Sequence, residues 1–532
     1  MTFEIDNLTA KQKDYAVFLP ALSGFYATYI GKQRHPDPKY KTSNGLYIED
    51  SRIPKDFEKG IEGLNWLNPK EAYFPYQWAL YSAGHAELDT NKVSAKEDMI
   101  RNRDRANSFV LGDSGGFQIG KGVWEGDWKN PNCPKAQKKR ELVLAWMDAY
   151  MDYGMILDIP AWVCRSPEGR KASGINSYLE AVEGTYINND YFMKNRTGAC
   201  KFLNVLQGEN HAEADDWYDR MKKYCDPTQY EKPFNGWAMG GQNMCDIHLV
   251  LRRLVTLRFD GLLKEGLHDW MHFLGTSKLE WAVLLTDVQR AVRKYVNPNF
   301  TISFDCASPF LASANGQIYI QTEIEEASKW VYRMVPSVDD KKYATDTRRF
   351  SDGVLQDKVF ENFTDSPISK RCTMNDICVY KPGDLNKINK EGKTSWDSFS
   401  YAIQMGHNVW SHLTSVQEAN RQYDIGVKPA MMSATTADKK TPRDYNGIND
   451  FRDIVDMIFS LDNKSDALEL IEHYNKYWMA IIGTRGAIGK KTTNSSTMFN
   501  NLFDTSADEE EIVINDDVIL DEDKLDKLEL EE

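Results

Sequence analysis

The 532-residue sequence predicts an α/β fold built as a (β/α)8, TIM-like barrel, with an inserted or C-terminal subdomain and a disordered acidic tail. Three observations carry that prediction. Six short apolar runs each stop at a polar residue or a glycine. Segments with helical periodicity lie between them. Strand ends recur at positions 113, 158, 207, 241, 275 and 305, spaced by 45, 49, 34, 34 and 30 residues. That is the length of a strand plus the crossover helix a parallel neighbour demands. Six such units fit a closed barrel better than an open sheet.

Residues 1–104 are expected to form the N-terminal part of the barrel domain. Within them the uncharged run 15–31 is too short to span a bilayer comfortably and reads as a buried segment. The acidic residues Glu4 and Asp6 ahead of it are wrong for a signal peptide. KDFEKG (55–60) reads as an exposed loop. The barrel core is expected over 105–320. Its strands are FVLGD (109–113), MILD (155–158), FLNVLQG (202–208), GWAMGG (236–241), MHFLG (271–275) and TISFD (301–305). Helices are expected at 141–151, 214–224, 247–257 and 281–292, where apolar residues share one face. A charged insertion follows at 321–425, helical from 395, then a C-terminal helical region at 426–503 with an exposed loop at 489–501. From 504 onward acids alternate with Ile, Val and Leu, the mark of a disordered acidic tail.

Composition narrows the classes. Apolar residues at 41% and charged residues at 27% are ordinary for a folded soluble protein and exclude a wholly disordered, collagen-like or coiled-coil chain. The net charge is −14, but residues 504–532 carry −12 of it. The nearly neutral body leaves a nucleic-acid partner open, met by a local basic patch. Eight cysteines are scattered along the chain, as expected for reduced thiols in a cytoplasm, some of them free to ligate metal.

Strand ends of a parallel barrel are where function gathers. LGDSGGFQ (111–118) ends a strand in Asp113 followed by paired glycines, which let backbone approach a flat ligand. GWAMGGQ (236–242) repeats the device, and SFDCASP (303–309) ends a strand with Asp305. Each motif alone is as readily a strand-to-helix turn with the aspartate as a cap.

Taken together and in order, these motifs resemble the tRNA-guanine transglycosylase superfamily. The matches are LGDSGGFQ, the aspartate of MILDIP, the glutamine of VLQG, GWAMGG, HFLGTS, and FDC followed by Pro309, Asn315 and Gly316. They cover roughly residues 105–320, with a weaker echo to about 425. The resemblance implies a (β/α)8 fold and exchange of one base for another at a glycosidic carbon, with no organic cofactor. By residue-for-residue match, Asp305 is the nucleophile and Asp113 the general acid and base. Asp158 accepts from the Watson–Crick edge of a guanine-like base. Gln207 and the backbone of Gly240 and Gly241 donate to its O6. Phe117 and Leu274 cover its two faces. The incoming base would be a 7-deazaguanine such as preQ0.

Departures from the pattern decide the branch. SPFLASANG (308–316), with no basic residue, stands where tRNA-acting relatives carry a Pro-Thr-Arg type run and a further basic residue. The closer likeness is to the phage and genomic-island branch that inserts 7-deazaguanines into DNA, with DNA as the partner and a homodimer allowed. A tRNA-acting enzyme is the alternative, and a non-catalytic nucleic-acid-binding subunit the second alternative. Phe310 and Leu311 are weighed as a wedge filling the gap of a flipped base, against ordinary core packing. Gln242 replaces the small apolar residue usual after the paired glycines. The family's zinc cluster is altered too. Cys372, Cys378, His407 and His412 remain as a Cys2His2 set for structural Zn2+, with Met374 at one ligand position.

Overall fold

Eight parallel strands surround the centre of the molecule: β1 (Val17–Pro20), β2 (Trp78–Ser82), β3 (Phe109–Asp113), β4 (Tyr153–Met155), β5 (Lys201–Leu206), β6 (Gly236–Met239), β7 (Trp270–Phe273) and β8 (Thr301–Cys306). They come from a computed structural model, which describes residues 7–32, 52–92, 97–355, 362–382, 393–432, 451–475 and 477–478. The strand order is β1-β8-β7-β6-β5-β4-β3-β2. A parallel bridge from Ala21 to Leu80 joins the two ends, with the Leu22 amide donating to the Leu80 carbonyl at 2.9 Å. The result is the expected (β/α)8 barrel.

The longer helices cover its outside. These are α1 (Gly24–Lys32), α2 (Pro134–Tyr150), α3 (Tyr178–Asn195), α4 (His211–Met221), α5 (Ile247–Phe259) and α6 (Leu279–Tyr295). Local chemistry starts several of them. Ser177, Asn210 and Asp246 each cap a helix, accepting from the amides of Glu180, Glu213 and Leu249, an arrangement worth about 1 kcal/mol apiece. After β8 the chain forms α7 (Ser308–Ala314) and a hairpin of β9 (Gln317–Glu323) and β10 (Val331–Pro336). It returns as α8 (Ser398–Asp424), which lies against β1 and α6 and supplies the last outer helix. Finally α9 (Phe451–Ser460) packs on α6, and α10 (Lys464–His473) on α5.

One apolar core runs from Leu8 to Trp478. It takes in Tyr319, Trp330, Phe350 and Phe399 of the 321–425 region and its flanks together with Phe18 and Phe304 of the barrel. Among the described residues no helix is long and apolar enough to cross a membrane. All eight cysteines are free thiols.

The run 15–31 is buried over residues 16–30, Ala21 partly, as expected, and holds β1 and most of α1. Several other expectations need correction. β4 stops at Met155, so Asp158 lies three residues beyond a strand instead of ending one. Phe57 of the 55–60 loop is buried. Phe310 is fully buried against Tyr26 and Trp66, which makes it core and removes it as a wedge. The 489–501 loop and the acidic tail lie outside the described residues.

Ring contacts fix which side chains point into the barrel. Phe109 of β3 stacks on Trp270 of β7 at 4.5 Å, and Tyr153 of β4 joins them at 5.7 and 5.6 Å. β3 and β7 stand opposite each other in an eight-strand order, so these rings meet inside. Side chains alternate along a strand. Counting by two from Phe109 reaches Asp113, and from Trp270 it reaches His272 and Leu274. The registers pair Phe109 with Trp78, and Trp270 with Thr301. Ser82, Ser303 and Asp305 therefore share the same inward parity. The aromatic floor lies at the strands' N-terminal ends and the carboxylates at the C-terminal mouth.

Candidate functional site at the barrel mouth

Asp305 stands near the end of β8. His272 Nε2 donates to its Oδ1 at 3.0 Å, and the Gly275 amide donates to the same oxygen at 2.9 Å. Both contacts lie on Oδ1. His272 is itself oriented from below. Trp270 Nε1, which can only donate, binds Ser303 Oγ at 2.8 Å. The Ser303 hydroxyl proton then points to His272 Nδ1, also 2.8 Å away. This sense of the chain puts the imidazole proton on Nε2, facing Asp305. Neither His272 nor Ser303 was singled out from sequence. Their signal was parity: both lie two residues before a mouth residue on adjacent strands.

Asp113 ends β3. Ser82, its register partner on β2, donates a hydroxyl proton to Oδ2 at 2.6 Å. Burial raises the Asp113 carboxyl above the usual carboxylate range, and the nearby Asp305 charge raises it further. Ser82, the Gly115 amide and His272 oppose that shift without cancelling it. Asp113 is therefore biased toward holding a proton.

Asp158 occupies the loop after β4. Helix α3 sets that loop: Thr185 Oγ1 accepts from the Ile159 amide at 3.0 Å, and Asn188 Nδ2 donates to the Leu157 carbonyl at 2.6 Å. Gln207, the residue after β5, donates Nε2–H to Asp158 Oδ2 at 2.8 Å. Both side chains are buried. Burial pushes the Asp158 carboxyl up to about 7, with the Asp113 charge adding to the rise and the Gln207 contact countering it. The glycines are explained by contact. A Cβ on Gly116 would lie 2.5 Å from the Asp158 carbonyl oxygen, and one on Gly240 would lie 2.6 Å from Gln207 Nε2. Either would dislodge the pair.

The remaining base-binding candidates are placed less uniformly. Phe117 is half-buried beside Trp162, ring centroids 5.5 Å apart, and Leu274 is half-buried at the end of β7. Gly241 has φ +56 and lies so near Gly208 that no side chain fits. Gly240 departs from expectation: its amide donates to the Leu206 carbonyl at 2.8 Å, so that donor belongs to the barrel ladder.

The four expected zinc ligands do not come together. His407 and His412 are five residues apart on α8, which sets them roughly 140° apart around the axis. His407 is held by Ser366 Oγ at 2.9 Å and donates from Nε2 to the Tyr319 carbonyl at 2.8 Å. His412 is stacked between Phe18 and Tyr332. Burial holds these imidazoles down at about 4 and about 3, and pushes the Cys372 thiol up. Cys372 and Cys378 each turn to a backbone carbonyl, of Ile368 and Asp340. Among the described residues, the one group of three or more His, Cys, Asp or Glu side chains with ligand atoms all within 4.8 Å of one another is His211, Asp246 and His248.

Fold and site thus define a class: an α/β barrel with three mouth carboxylates in unlike surroundings. No family model matches the chain, and no curated protein matches it.

Proposed function

We propose that the chain is a base-exchanging transglycosylase that replaces guanine in DNA with a 7-deazaguanine such as preQ0. The observation that carries this reading is the division of labour among the carboxylates. Asp305 is oriented through one oxygen, Asp113 is biased toward its protonated form, and Asp158 is paired with Gln207 in a buried slot.

In the proposed reaction Asp305 Oδ2 attacks C1′ of the target nucleotide as the bond from C1′ to the base nitrogen breaks. Asp113 delivers its proton to the departing guanine. The product is a glycosyl ester on Asp305. Guanine leaves and the 7-deazaguanine enters the same slot. Asp113, now ionised, takes the proton from the ring nitrogen of the incoming base as that nitrogen attacks C1′ and frees the Asp305 carboxylate. One glycosidic bond is exchanged for another, so no energy source is needed. Asp158 as a carboxylate accepts from the two donors on the guanine edge. Gln207 uses one amide proton on Asp158 and has a second to offer O6.

The choice of DNA rests on the segment between Asp305 and Asn315, which lacks the basic residues that would position an RNA backbone. The test is nucleoside analysis of DNA and tRNA from cells expressing the protein with a preQ0 supply. Modified deoxynucleosides are expected, with tRNA unchanged. Incorporation into tRNA alone would move the substrate to RNA. Asp305→Asn should abolish exchange and any covalent complex, and Asp113→Ala should lose ~10²–10⁴-fold in rate. Full turnover by Asp305→Asn would overturn the mechanism.

A further inference from the structure

We propose that His211, Asp246 and His248 form a divalent-cation site that clamps two mouth loops together. The three ligand atoms lie within 4.8 Å of one another. His211 opens α4, just after the loop that carries Gln207; Asp246 caps α5, just after the loop that carries Gly240 and Gly241. The pieces converge on the same end of the barrel as the candidate site, yet none belongs to that site.

Their surroundings suit a metal. Asp246 and His248 are buried, while the His211 side chain is 28% exposed and leaves a path from solvent. His211 Nε2 lies 2.7 Å from Asp246 Oδ2. His248 Nε2 lies 2.7 Å from Oε1 of Glu472, on α10. Two carboxylates therefore face the two imidazoles and balance a charge of +2. Two imidazole nitrogens and one carboxylate suit Zn2+ or a neighbouring first-row divalent ion over Mg2+ or Ca2+.

Gln242 supplies the outer support. Its Nε2–H donates to Asp246 Oδ2 at 3.0 Å, the orienting contact that metal-bound carboxylates commonly have. Its Oε1 is buried without a hydrogen-bond partner, an acceptor that a water on the ion would satisfy. The Gln242 amide also donates to the Gly208 carbonyl at 2.7 Å, so the same residue already ties the two loops. One positive group competes: Arg252 Nη1 is 3.3 Å from His211 Nδ1. Asp215 binds both Arg252 and Arg253, at 3.1 and 2.6 Å, and holds the guanidinium when that contact lapses.

The experiment uses the full chain without an affinity histidine tag, stripped with chelator and titrated with Co2+ and then Zn2+. Visible absorption of Co2+ and elemental analysis are the readouts, so the outcome does not depend on any exchange activity. About one ion per chain is expected. His211→Ala, whose side chain is part-exposed, should lose it while keeping its near-UV circular dichroism, and His248→Gln gives a second, near-isosteric removal. Gln242→Leu should weaken binding ~10–100-fold, and Cys372→Ser should bind as the parent does. No saturable uptake by the parent would overturn the proposal. So would unchanged stoichiometry and affinity in folded His211→Ala and His248→Gln, or loss of the ion in Cys372→Ser.

Discussion

Asp158 holds a carboxyl pushed up to about 7 because it is buried, well above its ordinary 3.8. Between these values the folded chain keeps a proton the unfolded chain has released. This residue's stabilising contribution is therefore complete below about pH 4 and declines as pH rises through about 7. Asp158→Asn should remove that decline, measured by urea unfolding at pH 5 and pH 8. Binding runs the other way, since a guanine edge needs the carboxylate. Affinity for free guanine should fall by up to about tenfold per pH unit below 7, and Asp158→Asn should flatten the dependence; calorimetry across pH decides. His272 acts one step back, through Asp305. His272→Leu is expected to lower kcat roughly 10–100-fold with KM little changed, because a nucleophile held loosely is misaligned in the transition state. His272→Gln, which can still donate to Asp305, should recover part of the loss. Asp113, Asp305 and Gln207 were legible as strand-end residues, and Asp158 was read as one although it lies in the loop after β4; His272 and Ser303 were not singled out, because a polar residue inside a strand is usually structural until its neighbours across the ladder are known.

At the scale of elements, α8 decides how the chain after β8 is secured. Asn408, fully buried, donates Nδ2–H to the Pro309 carbonyl, the Ser313 hydroxyl and the Gln317 carbonyl, and its Oδ1 accepts from the Tyr319 amide at 2.9 Å. One side chain thus ties α7 and β9 to α8. Asn408→Ala should cost roughly 2–4 kcal/mol, since it leaves buried backbone groups without partners; denaturant unfolding would measure it. Helix periodicity was readable from sequence: the expected segments at 247–257 and 281–292 fall inside α5 and α6, and 141–151 runs one residue past the end of α2. β1 and β2 were not read as strands, because short buried strands carry no alternation to distinguish them from other apolar segments. The zinc set failed for a related reason. Spacing along the chain places His407 and His412 near each other, whereas helix geometry turns them to different sides.

For the whole molecule, charge is divided between a nearly neutral body and the 504–532 segment with its −12. Such a segment repels phosphate or competes with it. Removal of residues 504–532 should preserve base exchange and tighten non-specific DNA binding at low salt, an effect that shrinks as salt rises. Filter binding across ionic strength would check it, and a truncated protein that folds but no longer exchanges base would make the tail part of the working assembly.

Sequence by itself determined the barrel and most of its mouth. Crossover length dictates parallel strands, and parallel strands collect functional residues at their C-terminal ends. Those are local properties of spacing and residue type. Which residues touch was decided only in three dimensions. Register put Ser82 beside Asp113 and His272 beneath Asp305. Burial, a property of the whole assembly, raised Asp113 and Asp158, and helix geometry turned His407 and His412 to different sides. The cluster of His211, Asp246 and His248 spans two successive βα units, and it exists only because the parallel pairing of β5 with β6 sets them side by side.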